Sequence, residues 1–299
     1  MSGRGGGRHR QRARGGRAAR EGGPAGAGGP VDAAAAGPVL AQFRAAAAAL
    51  NDRHDRHERL VKLSRDITIE SKRIIFLLHS AISVEEQEKA TMDAMDRLNA
   101  LIAGPIKAIG IELEQKPAYL HARAVSPGFQ EFCEAYTFCY LMKHKELPPW
   151  SKLQNDFTYQ IKNIEVEEQP ERTVVTMLTQ SDFLLGLADL SGELMRRAIN
   201  SISRGIASDN QECHSCCQTT RDLFTGFVGL FGASKEVSRK LCVTRANVGK
   251  VEAALYALAL RPAGAGDAGA GGAGAGGAGT ARLRDWAEPP ALSDDEGFY

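Results

Sequence analysis

Two short runs of carboxylates are the part of this sequence best suited to chemistry. Glu131-Phe132-Cys133-Glu134 sets acids at i and i+3, and Asp189-Leu190-Ser191-Gly192-Glu193 sets them at i and i+4. On a helix either spacing brings both carboxylates to one face. Two such helices facing each other converge three or four acids on one small volume. Like charges that close are unfavourable unless a cation sits among them. Oxygen donors without Cys or His favour Mg²⁺, Mn²⁺ or Ca²⁺ over zinc.

The plainer alternative is a solvated face, the usual meaning of acids three or four apart. Glu193 also has Arg197 at i+4, a surface pairing worth only about 0.2–0.5 kcal/mol. Two features point the other way. The face carrying Glu131 and Glu134 continues into Phe138 and Leu141, and that of Asp189 and Glu193 includes Gly186, with Gly192 adjacent. Glycine costs about 1 kcal/mol inside a helix, and there it leaves room for a close helix, a metal or a substrate backbone. Spacing weighs against two other carboxylate families. Di-iron bundles need Glu-x-x-His, which neither Glu131 nor Glu193 begins. All-α nucleotide pyrophosphohydrolases pair Glu-x-x-Glu with a second acidic motif on a nearby helix, whereas here that motif lies more than fifty residues on, with a different step.

The elements that must position these acids read as helices. Leu60, Leu63, Ile67, Ile74, Leu78 and Ile82 keep to one stripe, opposite Arg59, Lys62, Arg65, Glu70 and Arg73. A second helix covers Phe129 to about Met142, with Ser126 and Pro127 marking its start or a kink. A third runs from Ser181, as N-cap, to about Ile202. The last runs from Ser234 to Leu260. Along it Val237, Leu241, Thr244, Val248, Val251, Leu255 and Leu258 alternate steps of four and three, the seam of a helix packed lengthwise on another. That seam serves an intramolecular bundle, a subunit contact, or both. Between Leu147 and Gln180 the period breaks, which suggests a loop with room for a short hairpin.

Composition divides the chain of 299 residues into three. Residues 1–38 are rich in Arg, Gly and Ala and are expected to be a disordered arm. Residues 39–261 hold everything able to fold, and 262–299 form a Gly/Ala-rich linker and an acidic tail. The net charge of +1 thus conceals a basic arm and an acidic end around Asp294, Asp295 and Glu296. No apolar run approaches the roughly 20 residues of a membrane span, and no hydrophobic leader precedes the body. A soluble intracellular protein with reduced cysteines is expected. Cys213-His214-Ser215-Cys216-Cys217 lacks the second Cys/His pair that a zinc site needs, and Cys133 and Cys139 are expected in the core.

Several runs resemble the translin family, in the branch that partners translin itself. They are Asp52-Arg53-His54-Asp55-Arg56-His57-Glu58-Arg59-Leu60-Val61-Lys62-Leu63-Ser64-Arg65-Asp66-Ile67-Thr68, Phe76-Leu77-Leu78-His79, Asp182-Phe183-Leu184-Leu185-Gly186-Leu187-Ala188-Asp189-Leu190-Ser191-Gly192-Glu193, and Glu236-Val237-Ser238-Arg239-Lys240-Leu241. The resemblance covers roughly residues 39–260 and is weakest over Lys145–Thr179. It implies an all-α, translin-like bundle of about seven helices and a hetero-oligomeric shell built with translin. It also implies Mg²⁺-dependent endoribonuclease activity on single-stranded RNA, in RNA silencing and tRNA precursor processing. Carried over by motif, the metal ligands fall on Glu131, Glu134 and Asp189, with Glu193 as a fourth catalytic acid.

A strand path needs positive charge. Arg59, Lys62, Arg65, Lys72, Arg73, Arg196 and Arg197 are the candidates for RNA, with single-stranded DNA as a second ligand. Val237, Leu241, Val248, Val251, Leu255 and Leu258 are the candidates for translin. Residence in cytoplasm and nucleus is expected, the Arg/Gly arm serving for import and non-specific binding. The competing hypothesis is a non-catalytic scaffold that binds translin and nucleic acid.

Overall fold

The computed structural model describes residues 37–161, 172–204 and 207–260. The expected acidic tail lies outside the described residues, as does the expected arm except for Gly37 and Pro38, the latter already helical. Helix α1 (Pro38–Ser80) spans 43 residues, far more than its apolar stripe suggests. Its first buried residue is Leu60, which is where the periodic signal begins. The preceding turns are built from the strong helix formers Ala45–Ala49 and open with Pro38 in the first turn. Residues 38–55 are all exposed among the described residues, so they carry no periodicity.

Helix α2 (Val84–Leu101) starts at a capping box: Ser83 Oγ accepts from the Glu86 amide, and Glu86 accepts from the Ser83 amide. It continues through a π-helical turn (Ile102–Ile106) into α3 (Lys107–Glu112). Pro105, which has no amide hydrogen to give the ladder, lies inside that turn. A 3₁₀ turn (Ala118–His121) leads into α4 (Ala122–His144), which begins before Pro127 and runs through it. Next come a short α5 (Trp150–Asp156) and an antiparallel hairpin of β1 (Thr158–Ile161) and β2 (Arg172–Val175), Thr158 opposite Val175. The hairpin fits the break in periodicity; α5 was not expected. Helices α6 (Gln180–Arg204), α7 (Ala207–Val228) and α8 (Lys235–Ala259) complete the fold. With α2 and α3 as one rod the described chain has seven helices. None is long and apolar enough to cross a membrane.

Helix α4 is the central rod, packed on α1 and α6, while α6 also carries α7 and α8. Its Phe129, Phe132 and Phe138 are wholly buried. The α1–α4 crossing is close at Ser64, whose hydroxyl accepts from the Gly128 amide at 3.0 Å; a Cβ at Gly128 would lie 2.8 Å from the Ser64 carbonyl oxygen. The start of α6 corrects one expectation. Thr179, not Ser181, caps it: Thr179 Oγ1 accepts from the Asp182 amide at 3.0 Å and donates to the Asp182 carboxylate at 2.7 Å. Ser234, where the last helix was expected to start, caps α8 by accepting from the Val237 amide.

The α8 seam faces inward. Val237, Leu241, Thr244 and Val251 are buried, and Asn247 donates to Ser191 of α6 at 3.0 Å, so the buried polar groups of this interface are satisfied. Val237, Leu241 and Val251 are therefore covered by the chain itself and are not available to a partner; Val248, Leu255 and Leu258 are half-buried. Cys133, Cys139, Cys213, Cys216 and Cys217 are buried free thiols in one core cluster.

Arg197 also departs from expectation. It is only 6% exposed, bonds Glu212 at 2.5 Å and donates to the Leu78 carbonyl oxygen at 3.3 Å. It ties α6 to α7 and the end of α1, and RNA cannot reach it. Removing one partner of a buried pair leaves the other uncompensated. Because Glu212 keeps some exposure, Arg197→Gln is expected to cost about 2 kcal/mol in thermal unfolding while leaving RNA affinity unchanged. A selective loss of RNA affinity at unchanged stability would refute the structural assignment.

Candidate functional site

The two acidic motifs meet where α4 and α6 cross. Gly186 makes that crossing possible: a Cβ there would lie 2.6 Å from Cys133 Cβ, 2.7 Å from the Gln130 carbonyl oxygen and 3.2 Å from the Glu134 amide. The next turns of α6 bring Asp189 and Glu193 alongside Glu131 and Glu134. At the start of the crossing, Asp182 accepts from Ser126 and from Gln130, fixing the register of the two helices.

Glu134 is the electrostatic centre. Its carboxyl is pushed up from 4.5 to about 8, first by burial and then by the charges of Asp189, Glu193 and Glu131, with Lys240 opposing. The other three acids each hold a base. Lys72 of α1 pairs with Glu131 at 3.0 Å, and Lys240 of α8 pairs with Asp189. His79 of α1 lies 2.6 Å from Glu193, its ring 5.0 Å from that of Phe138, and Arg196 reaches the same Glu193 oxygen at 3.1 Å. Lys72 is held above the ordinary lysine range by its bond to Glu131, then by that residue's charge, with Glu134 and Asp189 adding to it. One lysine thus feels acids from both motifs.

The sequence motifs contained all four acids, but of the bases that hold them only Lys72 and Arg196 had been singled out. Lys240 and His79 were missed. Lys240 lies 51 positions beyond Asp189 and reaches it only because α8 packs on α6. His79 follows Lys72 by seven positions, two turns along the same face of α1, and that spacing was the available signal. Among the other basic candidates, Arg59 is tied to Glu112 at 2.5 Å and Arg73 to Glu70 at 3.4 Å. Lys62 and Arg65 are exposed, and neither forms an ion pair among the described residues.

The donors suit a hard divalent cation: four carboxylates, one of them raised by its neighbours. As the side chains stand, no three Asp, Glu, His or Cys residues among those described are arranged to hold one ion. The bases occupy that role instead. Lys72, 62% exposed at its side chain, is free to swing away, and Lys240 is more enclosed.

Residues 55–262 match the model of the translin family. Translin-associated protein X of Mus musculus is 37% identical over 241 residues, covering 77% of this chain and 81% of the mouse protein. The homolog from Schizosaccharomyces pombe is 26% identical over 222 residues, 72% of this chain and 85% of the yeast one. Among solved structures, apo-NeC3PO aligns with a TM-score of 0.50 at 16% identity, and AfC3PO in complex with duplex RNA with 0.52 at 17%. Each covers 73% of this chain, and 96% and 97% of its own. The structures share the fold, the family model spans nearly all of the described body, and the chain belongs to the translin family.

Proposed function

We propose that the chain is the catalytic subunit of a hetero-oligomer with translin, a Mg²⁺-dependent endoribonuclease acting on single-stranded RNA in cytoplasm and nucleus. The observation that carries this is the convergence of Glu131, Glu134, Asp189 and Glu193 from two helices, with Glu134 held protonated by burial and by the other three. The mouse relative is named for its association with translin, and the fold neighbour AfC3PO was solved with RNA. Both support the choice of partner and ligand class.

Glu131, Glu134 and Asp189 would hold the cation. When bound, it supplies Lewis-acid activation of a phosphodiester and of water. Glu193 is oriented by His79 and Arg196, which fixes one carboxylate oxygen and leaves the other to take a proton from the attacking water. Lys72 and Lys240 hold the unloaded acids together and are placed to meet phosphate oxygens once displaced.

The same ion pairs favour an alternative, a scaffold whose acids are neutralised by lysines and bind no metal. The reconstituted complex with translin decides between them. Asp189→Asn is expected to lower cleavage of single-stranded RNA by about a hundredfold or more with assembly and RNA affinity retained. Cleavage that is indifferent to Mg²⁺ and to this substitution leaves only the scaffold.

A further inference from the structure

A second concentration of unspent chemistry lies at the opposite end of α4, where its leading 3₁₀ turn meets the exposed half of α1. A cavity of about 580 Å³ opens there, lined by Arg53, His54 and His57 of α1 and by Tyr119, Leu120 and Arg123. Tyr119 is 78% exposed, a large aromatic side chain left to solvent in a cavity that two arginines also line. Arg53 and Arg123 enter no ion pair among the described residues, whereas Arg56 and Arg59 beside them are both tied to Glu112. Beneath them His121 is 3% exposed, its Nδ1 lacks a hydrogen-bond partner, and its ring lies 6.5 Å from that of His57. Burial, and then the positive field of Arg56 and Arg53, disfavours the charged form of His121. The cavity lining thus carries two guanidinium groups and no carboxylate, although its His54 pairs with Glu58 at 3.2 Å.

We propose that this corner is a second contact for single-stranded RNA, with Tyr119 as a platform for one base and Arg53 and Arg123 as phosphate contacts. It rests on the reading of the chain as an RNA-processing subunit and extends the strand beyond the acids. Basic side chains along a groove with an aromatic face for stacking are what single strands require. The corner and the acidic site lie along the same pair of packed helices, α1 and α4. Arg123 and Glu134 are eleven positions apart on α4, so they share a face about 17 Å apart. On α1, His54, Val61, Arg65, Lys72 and His79 recur at steps of seven, four, seven and seven along one stripe. A strand held at Tyr119 can follow that stripe to Lys72, whose partner is Glu131.

The test uses the translin complex without divalent metal, so that the probe is not cut. The probes are fluorescent oligouridine of about 16 nucleotides and a tetranucleotide. Tyr119→Ala is expected to weaken the long probe about tenfold, Tyr119→Phe to restore most of it, and the tetranucleotide to bind equally to all three. Arg53→Gln and Arg123→Gln should each lower the salt slope by about 0.7. Unchanged affinity of Tyr119→Ala for the long probe, with the complex intact, overturns the proposal. So does loss of translin at unchanged affinity per assembled complex, which would make the corner a protein contact. Mg²⁺-dependent cleavage by the unaltered complex is read in parallel. Tyr119-dependent binding without cleavage removes the nuclease reading and keeps this contact, and the reverse pattern keeps the nuclease and removes the contact.

Discussion

In the translin complex, Glu134→Gln is expected to lower cleavage severely and yet, in the absence of divalent metal, to raise thermal stability above pH 8. Both effects follow from where Glu134 sits. Burial and three neighbouring acids raise its carboxyl from 4.5 to about 8. Between those values the folded state keeps a proton that the unfolded state releases. The stability this provides is complete below about pH 4.5, falls as pH rises, and is gone above about pH 8. Every tenfold change in proton affinity is worth about 1.4 kcal/mol, so wild type above pH 8 carries a penalty of at least that order. Gln keeps the shape, removes the charge and removes this pH dependence. A bound divalent cation should flatten the wild-type profile in the same way, by balancing the charge that Gln eliminates. Activity goes the other way, because the amide is a neutral and weaker ligand; a loss of about a hundredfold or more is expected. Thermal melts of both proteins from pH 5 to pH 9, with and without Mg²⁺, are the measurement. Parallel melting profiles for the two proteins would mean that Glu134 is not the strained member of the cluster.

The acids were legible in the sequence because a helix converts spacing into direction. Glu131 with Glu134, and Asp189 with Glu193, had to share faces once their segments were helical. Their meeting was only conditional, since nothing in two local motifs says which helices touch. What decided it was tertiary: Gly186 against Cys133, and Asp182 bonded to Ser126 and Gln130. The same limit hid the bases. Lys240 and His79 look like ordinary surface residues until α8 and α1 are placed against the acids. Local signals placed the start of α8 at Ser234, which caps it, and misplaced the cap of α6 by two positions at Ser181, where Thr179 was the better-placed hydroxyl. The exposed half of α1 had propensity and no period. Arg197 shows the opposite failure: charge suggested solvent, and only burial against Glu212 and Leu78 revealed a tie between helices.

The two glycines flanking Asp189 should respond to alanine in opposite directions. At Gly186 an added methyl meets Cys133 Cβ at 2.6 Å and the Gln130 carbonyl oxygen at 2.7 Å. One is the branch point of a buried side chain and the other is helix backbone, so neither can rotate aside and α4 and α6 must separate. Overpacking of this kind costs about 1–3 kcal/mol, against which the better helix propensity of alanine returns about 1 kcal/mol. Gly186→Ala is therefore expected to destabilise the fold by up to about 2 kcal/mol. Catalysis should suffer more than stability. The Glu134 amide lies 3.2 Å from the added atom, so the separation moves one acid directly against Asp189 and Glu193, and a misplacement of about 1 Å can cost about a hundredfold in rate. At Gly192 the nearest atom is Asn247 Nδ2 at 3.8 Å, an ordinary contact. Gly192→Ala should hold or gain stability by up to about 1 kcal/mol and keep most activity. Cleavage rates and melting temperatures of the two variants in the translin complex separate a site built on one close helix crossing from acids that merely share a surface. If Gly186→Ala cleaves as well as Gly192→Ala, the crossing does not set the catalytic geometry.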